Sequence, residues 1–224
     1  MLNFFRNKTE NPPKSQPSAV VTRKMYEALQ EKLPAGAVEY CFRLWQENPF
    51  SFKISRTRNS CLGNYIFRDG THKITVNHDL NPYAFLLTYI HEIAHQHTWI
   101  NKAGRRKKIL PHGIEWKTNF QRLMQPLLSP EIYPEKILKP LTVYMSNPMA
   151  SSVSYTPLQE ALQSFNTHVE EGVLLGQLPD NKWFEFRNVI YQKLEMRRTR
   201  ALCLEKKSKR KYTIAAIARV KVIE

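Results

Sequence analysis

The chain of 224 residues is short of cysteine, of acidic side chains and of long apolar runs, and each shortage excludes something. Three cysteines, Cys41, Cys61 and Cys203, lie far apart with no CxxC pair. That excludes a cysteine-rich zinc ribbon and argues against a disulfide framework. No apolar run approaches the roughly 18–20 residues that a membrane span needs. The opening residues, Met1 to Phe5, are too few for the apolar core of a signal peptide. The expectation is a cytoplasmic protein with no membrane partner, nucleoid-associated if it binds DNA. Acids are outnumbered: 19 Asp+Glu stand against 34 Lys+Arg, a formal net charge of +15. A polyanion, most simply nucleic acid, is the partner such an imbalance suggests. A merely basic soluble protein has the same composition, so charge alone does not decide. What remains, 42% hydrophobic and 24% charged, is enough for one large domain or two small ones.

Along the chain, residues 1–20 read as a loose tail rich in proline and serine. From Val21, the residues Met25, Ala28, Leu29 and Leu33 recur at helical spacing until Pro34 and Gly36 break the pattern. A second helix carries Val38, Phe42, Leu44 and Trp45 and stops before Asn48-Pro49. Phe50, Phe52 and Ile54 then alternate with polar residues, as do Ile74 and Val76, with Arg68-Asp69-Gly70 as a turn between strands. Residues 50–78 are therefore expected to form a small antiparallel sheet. Asn81-Pro82 is a helix start, and the run from Pro82 to Ile100 is apolar on most sides, as a buried helix is. After His112-Gly113 a further helix shows one apolar stripe of Trp116, Phe120, Leu123 and Leu127. Residues 131–169, punctuated by prolines, read as a connector with short helices, one of them PLQEALQSFN. From Gly172 onward the pattern favours strands, with KKSKRK at 206–211 as a hairpin tip. The expected class is α+β, with a core over 21–130 and a basic β-rich C-terminal module over 170–224.

The motif that carries chemistry is His91-Glu92-Ile93-Ala94-His95, an HExxH inside the predicted buried helix. Residues four apart lie one above the other on one helix face, so two imidazoles there can bind one Zn²⁺. Glu92 can reach a metal-bound water as general base. Two histidines could also fall four apart on a core helix by chance, but buried imidazoles need partners and a metal supplies them. Catalytic zinc takes three protein ligands. The metzincin continuation would need glycine and histidine where this chain has Thr98 and Asn101. His112, after sixteen intervening residues and just before a predicted helix, is the best candidate for the third ligand. Glu115 is the runner-up. His97, two residues from His95, points off the metal face, and His72, His78 and His168 have no ligand spacing.

The strings LGNY at 62–65, THKITVN at 71–77, HEIAH at 91–95 and HGIEWK at 112–117 together resemble the SprT-like family of metallopeptidases, to which the DNA-dependent protease Spartan belongs. The resemblance covers about residues 21–130, and the basic 197–222 string is similar to the C-terminal part of bacterial members. It implies a zincin-like metallopeptidase core, one Zn²⁺ per chain on His91, His95 and His112, and Glu92 as catalytic base. It implies a zinc endopeptidase acting on protein bound or crosslinked to DNA. Many members also carry a four-cysteine zinc ribbon near the C-terminus; this chain has only Cys203 there.

The positive charge is concentrated. Residues 193–224 hold eleven Lys+Arg against three acids, Glu195, Glu205 and Glu224. Candidate nucleic-acid contacts here are Arg197, Arg198, Arg200, Lys206, Lys207, Lys209, Arg210 and Lys211. A second cluster, Lys102, Arg105, Arg106, Lys107 and Lys108, lies between the HExxH helix and His112, and a third, Lys53, Arg56 and Arg58, precedes LGNY. Such clusters neutralise phosphates without reading sequence, and Tyr212 or Trp183 could stack on bases. For any one cluster a solvated face is an equal reading, and for the two aromatics a place in the core is the favoured one. Two rivals to the peptidase are a nucleic-acid-binding protein with a structural or vestigial zinc, and a zinc hydrolase of small substrates. A structural site has no use for Glu92, and a small substrate leaves the charge unexplained.

Overall fold

The computed structural model describes residues 17–58, 61–102, 110–149, 155–166, 172–197, 200–216 and 218–223. The described residues form six α-helices and two sheets, the α+β class that the alternation of patterns predicts. Helix α1 (Ala19–Lys32) starts two residues earlier than its apolar pattern, because the Ser18 hydroxyl accepts from the Val21 N–H and caps it. Helix α2 (Val38–Glu47) ends at Asn48, whose backbone C=O accepts from the buried side chain of Gln96 at 2.9 Å.

Strands β1 (Ser51–Ser55), β2 (Gly63–Arg68) and β3 (Thr71–Asn77) make the first sheet, in the order β1-β3-β2. Asp69 and Gly70 both adopt positive φ, 52° and 71°, the conformation a two-residue hairpin loop requires. The expectation of an all-antiparallel sheet is corrected here: β2 pairs antiparallel with β3, but β1 pairs parallel with it, Ser51 opposite Lys73 through Ser55 opposite Asn77. The reason is where β3 sits. It carries the fully buried Ile74 and Val76 and takes the centre. The end of β1 and the start of β2 then meet the same end of β3, so the link between them crosses only about two strand spacings, ~10 Å.

Helix α3 (Pro82–Lys102) is the spine of the fold. The Asn81 carboxamide oxygen accepts from the N–H groups of Tyr83 and Ala84, and Pro82 fills the first position, where no N–H is needed. Phe85, Leu86, Tyr89, Ile90, Ile93 and Ala94 are fully buried against the other helices and the sheet. Among the described residues no helix is long and apolar enough to cross a membrane. Helix α4 (Ile114–Met124) lies against α3, tied by the Asn119 side chain donating to Thr98 Oγ1 at 3.0 Å.

Residues expected to be a connector contribute α5 (Glu135–Ser146) and α6 (Thr156–Gln163). Their Ile137, Leu141, Tyr144, Leu158 and Leu162 belong to the same buried cluster as α1–α4. Asn81 fastens α6 to the start of α3 by donating to the Leu162 carbonyl at 2.8 Å. Prolines at helix starts (Pro134 before α5, Pro157 within α6) give this segment an irregular look in sequence, but proline is tolerated there.

The second sheet runs β4-β9-β5-β6-β7-β8, from β4 (Val173–Leu174), β5 (Trp183–Phe186), β6 (Val189–Arg197), β7 (Arg200–Glu205), β8 (Lys211–Ala215) and β9 (Arg219–Ile223). It has its own small cluster, including Leu175, Phe184, Cys203, Ile214 and Val220. The hairpin tip expected at 206–211 joins β7 to β8, with Leu204 opposite Lys211. The stretch after Gly172, expected to be extended through Leu178, leaves the strand after Leu174, where the Gln177 N–H turns back to the Leu174 carbonyl.

Candidate metal centre

Three imidazoles meet where α3, the start of α4 and β2 converge. The helical repeat puts His91 and His95 on one face of α3, their Nε2 atoms 3.2 Å apart. His112 comes back from the residues just ahead of α4, its ring centroid 4.7 Å from that of His95 and 5.4 Å from that of His91. One ligating nitrogen from each lies within 4.8 Å of the others, and among the described residues this is the group able to hold a metal ion. Glu115 does not join it. Trp116 packs on all three rings, with centroid distances of 4.7 Å to His91, 5.5 Å to His95 and 4.8 Å to His112. Its indole N–H donates to the His91 backbone carbonyl at 3.4 Å. Residues of α4's apolar stripe thus form the wall that aims the histidines.

The donor chemistry fits a cation such as Zn²⁺. Burial lowers the pKa of His91 well below its ordinary value, takes that of His95 to about 4, and lowers that of His112. Each ring is then neutral at pH 7, with a lone pair free for a metal. Two nitrogens bound tetrahedrally at ~2.05 Å stand ~3.3 Å apart, close to the spacing of the two Nε2 atoms. Because no imidazole has to shed a proton, metal affinity should fall less than about fivefold between pH 8 and pH 6, whereas three imidazoles of ordinary pKa would lose about sixtyfold. Competitive chelator titrations at both pH values measure this.

Glu92 lies beside the same centre, on the side of α3 that β2 covers. It is 5% exposed, and burial raises its pKa to about 8, partly opposed by the Arg58 charge and by a hydrogen bond from the Tyr65 backbone. The Tyr65 backbone hydrogen-bonds Glu92, and β2 is the outer strand of its sheet, so β2 runs beside this side chain. β2 comes close at Gly63: a Cβ there would lie 2.5 Å from Glu92 Oε1 and 2.7 Å from Thr88 Cγ2. The Tyr65 ring stacks on His95 at 6.3 Å, and its hydroxyl hydrogen-bonds His72 Nδ1 at 2.9 Å. Sequence reasoning does not single out Tyr65, His72, Gly63 or Arg58 for this site. Only the LGNY string, with its glycine ahead of an aromatic, carries a signal for two of them.

His97 turns away, as its spacing predicts, and pairs with Arg122 through Nδ1 at 3.1 Å. Among the basic residues, Lys102 lies over the Trp99 ring at 5.3 Å and Lys206 over Trp183 at 5.5 Å. Arg197 pairs with Glu195, and Arg200 donates to Thr213. Lys207, Lys209, Arg210 and Lys211 are exposed on the β7–β8 hairpin, where Tyr212 is also exposed. Arg105, Arg106, Lys107, Lys108 and Arg198 lie outside the described residues.

Comparison with protein families matches residues 30–135 to the SprT-like family. The match spans a little under half of the chain, 106 of its 224 residues, and shows similarity to that family there. The matched SprT-like segment runs from the end of α1 through α4 and includes His91, Glu92, His95, His112 and Trp116. No curated protein and no solved structure matches the chain significantly. Replacing His112 by alanine should lower zinc affinity by more than about a hundredfold, while Glu115→Ala should leave it within about threefold. Chelator competition compares the two, and the reverse outcome would make Glu115 the third ligand.

Proposed function

We propose that this SprT-like protein is a zinc-dependent metalloendopeptidase that cleaves proteins bound or crosslinked to DNA. The observation that carries the reading is the convergence of three half-buried imidazoles, two of them on the helix that also carries one buried acid, Glu92. Held by His91, His95 and His112, Zn²⁺ would polarise the scissile carbonyl and acidify a water. The charge of a cation held there would favour the ionised form of Glu92, which accepts the proton of that water and passes it to the departing amine. The free edge of β2 can align an extended peptide through main-chain hydrogen bonds, bringing one peptide bond to the centre. Burial excludes bulk water from Glu92 and strengthens every charge interaction there.

The DNA part of the reading is supported by charge. Eleven Lys+Arg against three acids in 193–224 give this segment +8. On the β7–β8 hairpin, Lys207, Lys209 and Arg210 have no ion-pair partner among the described residues within bridging distance. DNA held there would gather enzyme and substrate on one polymer. Changing these three residues to alanine should make the salt dependence of DNA binding shallower, by up to ~0.9 per phosphate no longer neutralised in the slope of log K against log salt on duplex DNA. An unchanged slope would leave this hairpin as a solvated face. The test of the whole reading is cleavage of a DNA-bound protein assayed with and without single- and double-stranded DNA, alongside metal content. One zinc per chain and cleavage that depends on it support the proposal; zinc without cleavage of any protein overturns it.

A further inference from the structure

Beyond the metal centre, β2 and α3 continue side by side. Tyr65 and Phe67, two apart on a strand, share one face, as do His95 and Trp99, four apart on a helix. The Tyr65 ring lies on His95 at 6.3 Å between centroids, with the planes only 7° apart. Phe67 lies against Trp99 at 4.8 Å. Two residues of strand rise about 6.8 Å and four of helix about 6 Å, so the two pairs are successive rungs of one ladder. On the other side of Tyr65, Gly63 meets Thr88 and Glu92 and brings no side chain of its own. The rung beyond the metal is open. Phe67 is 37% exposed and Trp99 42%, although both are large and apolar. Both are also held in place. His72 backs Phe67 at 4.7 Å, and Lys102 Nζ stands over Trp99 at 5.3 Å. Large aromatic rings with few rotatable bonds give contact area at low entropic cost, which suits them to recognition.

Among the described residues β2 has a neighbouring strand, β3, on one side only. A peptide added to the other edge repeats every two residues at the same spacing of about 6.8 Å, and its side chains alternate between the same two faces. With one of its residues at the metal beside Tyr65, the residue two along stands opposite Phe67 and points to the face that Trp99 closes. The residue between points the other way. We propose that Phe67 and Trp99 form a specificity subsite that takes a large apolar side chain of an extended peptide, two residues from the one at the metal. This rests on the metallopeptidase reading of the site. A nucleobase also stacks on exposed rings, but a nucleic acid has no peptide main chain to pair with the edge of β2.

The test is a binding scan with peptide hydroxamates, whose metal-gripping group fixes the register. Two series extend from that group, one toward the N-terminus and one toward the C-terminus of the peptide, each with a single phenylalanine moved along an alanine background. Kd is measured by calorimetry on zinc-loaded wild type, Trp99→Ala and Phe67→Ala, with zinc content and melting temperature recorded for each. In wild type, phenylalanine should strengthen binding about tenfold over alanine at the position two residues from the metal, in one series only, and less than about twofold at the position between. One series is expected because the rung on the opposite side is Gly63, which offers no ring; the series that responds reports the direction of the peptide along β2. Each variant should reduce the preference to about twofold or less. No preference, a preference equal in both series, or one that survives either substitution overturns the proposal. The positional scan is read on wild type, so it decides even where a variant does not fold. Binding of a single-stranded oligodeoxythymidylate is measured alongside. A loss of about tenfold on Trp99→Ala, with the phenylalanine preference intact, assigns the rung to a nucleobase and overturns the proposal. Wild type that holds zinc but binds no hydroxamate removes the metallopeptidase reading and this inference together, whereas tight binding without the preference removes the inference alone.

Discussion

Glu92→Gln should abolish peptide hydrolysis while leaving the three imidazoles and their metal in place. The amide is nearly the same size and keeps an oxygen to accept from the Tyr65 N–H, but it cannot take a proton. Loss of a general base costs typically 10²–10⁴-fold in rate, and kcat should carry the loss. Stability gives an independent check. A carboxyl whose folded pKa is raised from 4.5 to about 8 by burial weakens the metal-free fold as pH rises through that interval, because the folded state holds its proton more tightly than the unfolded chain. Glutamine has no such proton. Metal-free Glu92→Gln should therefore melt at or above the wild-type temperature at pH 8, with the gap closing near pH 5. A variant that cleaves a DNA-bound protein at the wild-type rate would falsify the role given to Glu92.

Much of this centre is legible in the sequence because it is local. Two histidines four apart on a helix must share a face, and Asn81-Pro82 marks the start of that helix whatever surrounds it. His112 is harder, since its approach depends on α4 docking against α3; the apolar stripe of Trp116 and Phe120 announces a buried face but not its partner. What stays hidden is non-local. Alternation of apolar and polar residues shows that β1 and β3 are strands, but periodicity says nothing about which strand is the neighbour or in which direction it runs. Helices α5 and α6 read as connector because prolines dominate the local signal, while their place in the main core comes from contacts such as Asn81 to Leu162. Arg58 reads as surface charge because only the fold brings Asn77 beside it. These gaps have one physical origin: a side chain's direction is fixed by partners that are distant in sequence.

Gly63→Ala should separate metal binding from catalysis almost as sharply as the loss of Glu92 itself. A Cβ at residue 63 would stand 2.5 Å from Glu92 Oε1, 2.7 Å from Thr88 Cγ2 and 2.9 Å from Glu92 Cγ, all closer than real contacts allow. Thr88 cannot retreat cheaply: its Oγ1 donates to the Ala84 carbonyl at 2.8 Å, and the residue is 7% exposed on the helix that carries the histidines. The more mobile party is the Glu92 side chain, so the carboxylate should be displaced or β2 should lift from α3. Overpacking of this kind costs ~1–3 kcal/mol of stability. A displacement of about 1 Å at a catalytic group can cost 10²-fold in rate. The three imidazoles are aimed by the α3 backbone and by Trp116, and none of them is among the atoms nearest the added Cβ. Zinc affinity should therefore stay within about threefold of wild type. Calorimetry with zinc, thermal melting and cleavage of a DNA-bound protein, made on one preparation, test the separation. Full activity in a folded Gly63→Ala protein would mean that β2 does not need its close approach to the base, and the edge-strand role proposed for it would have to be abandoned.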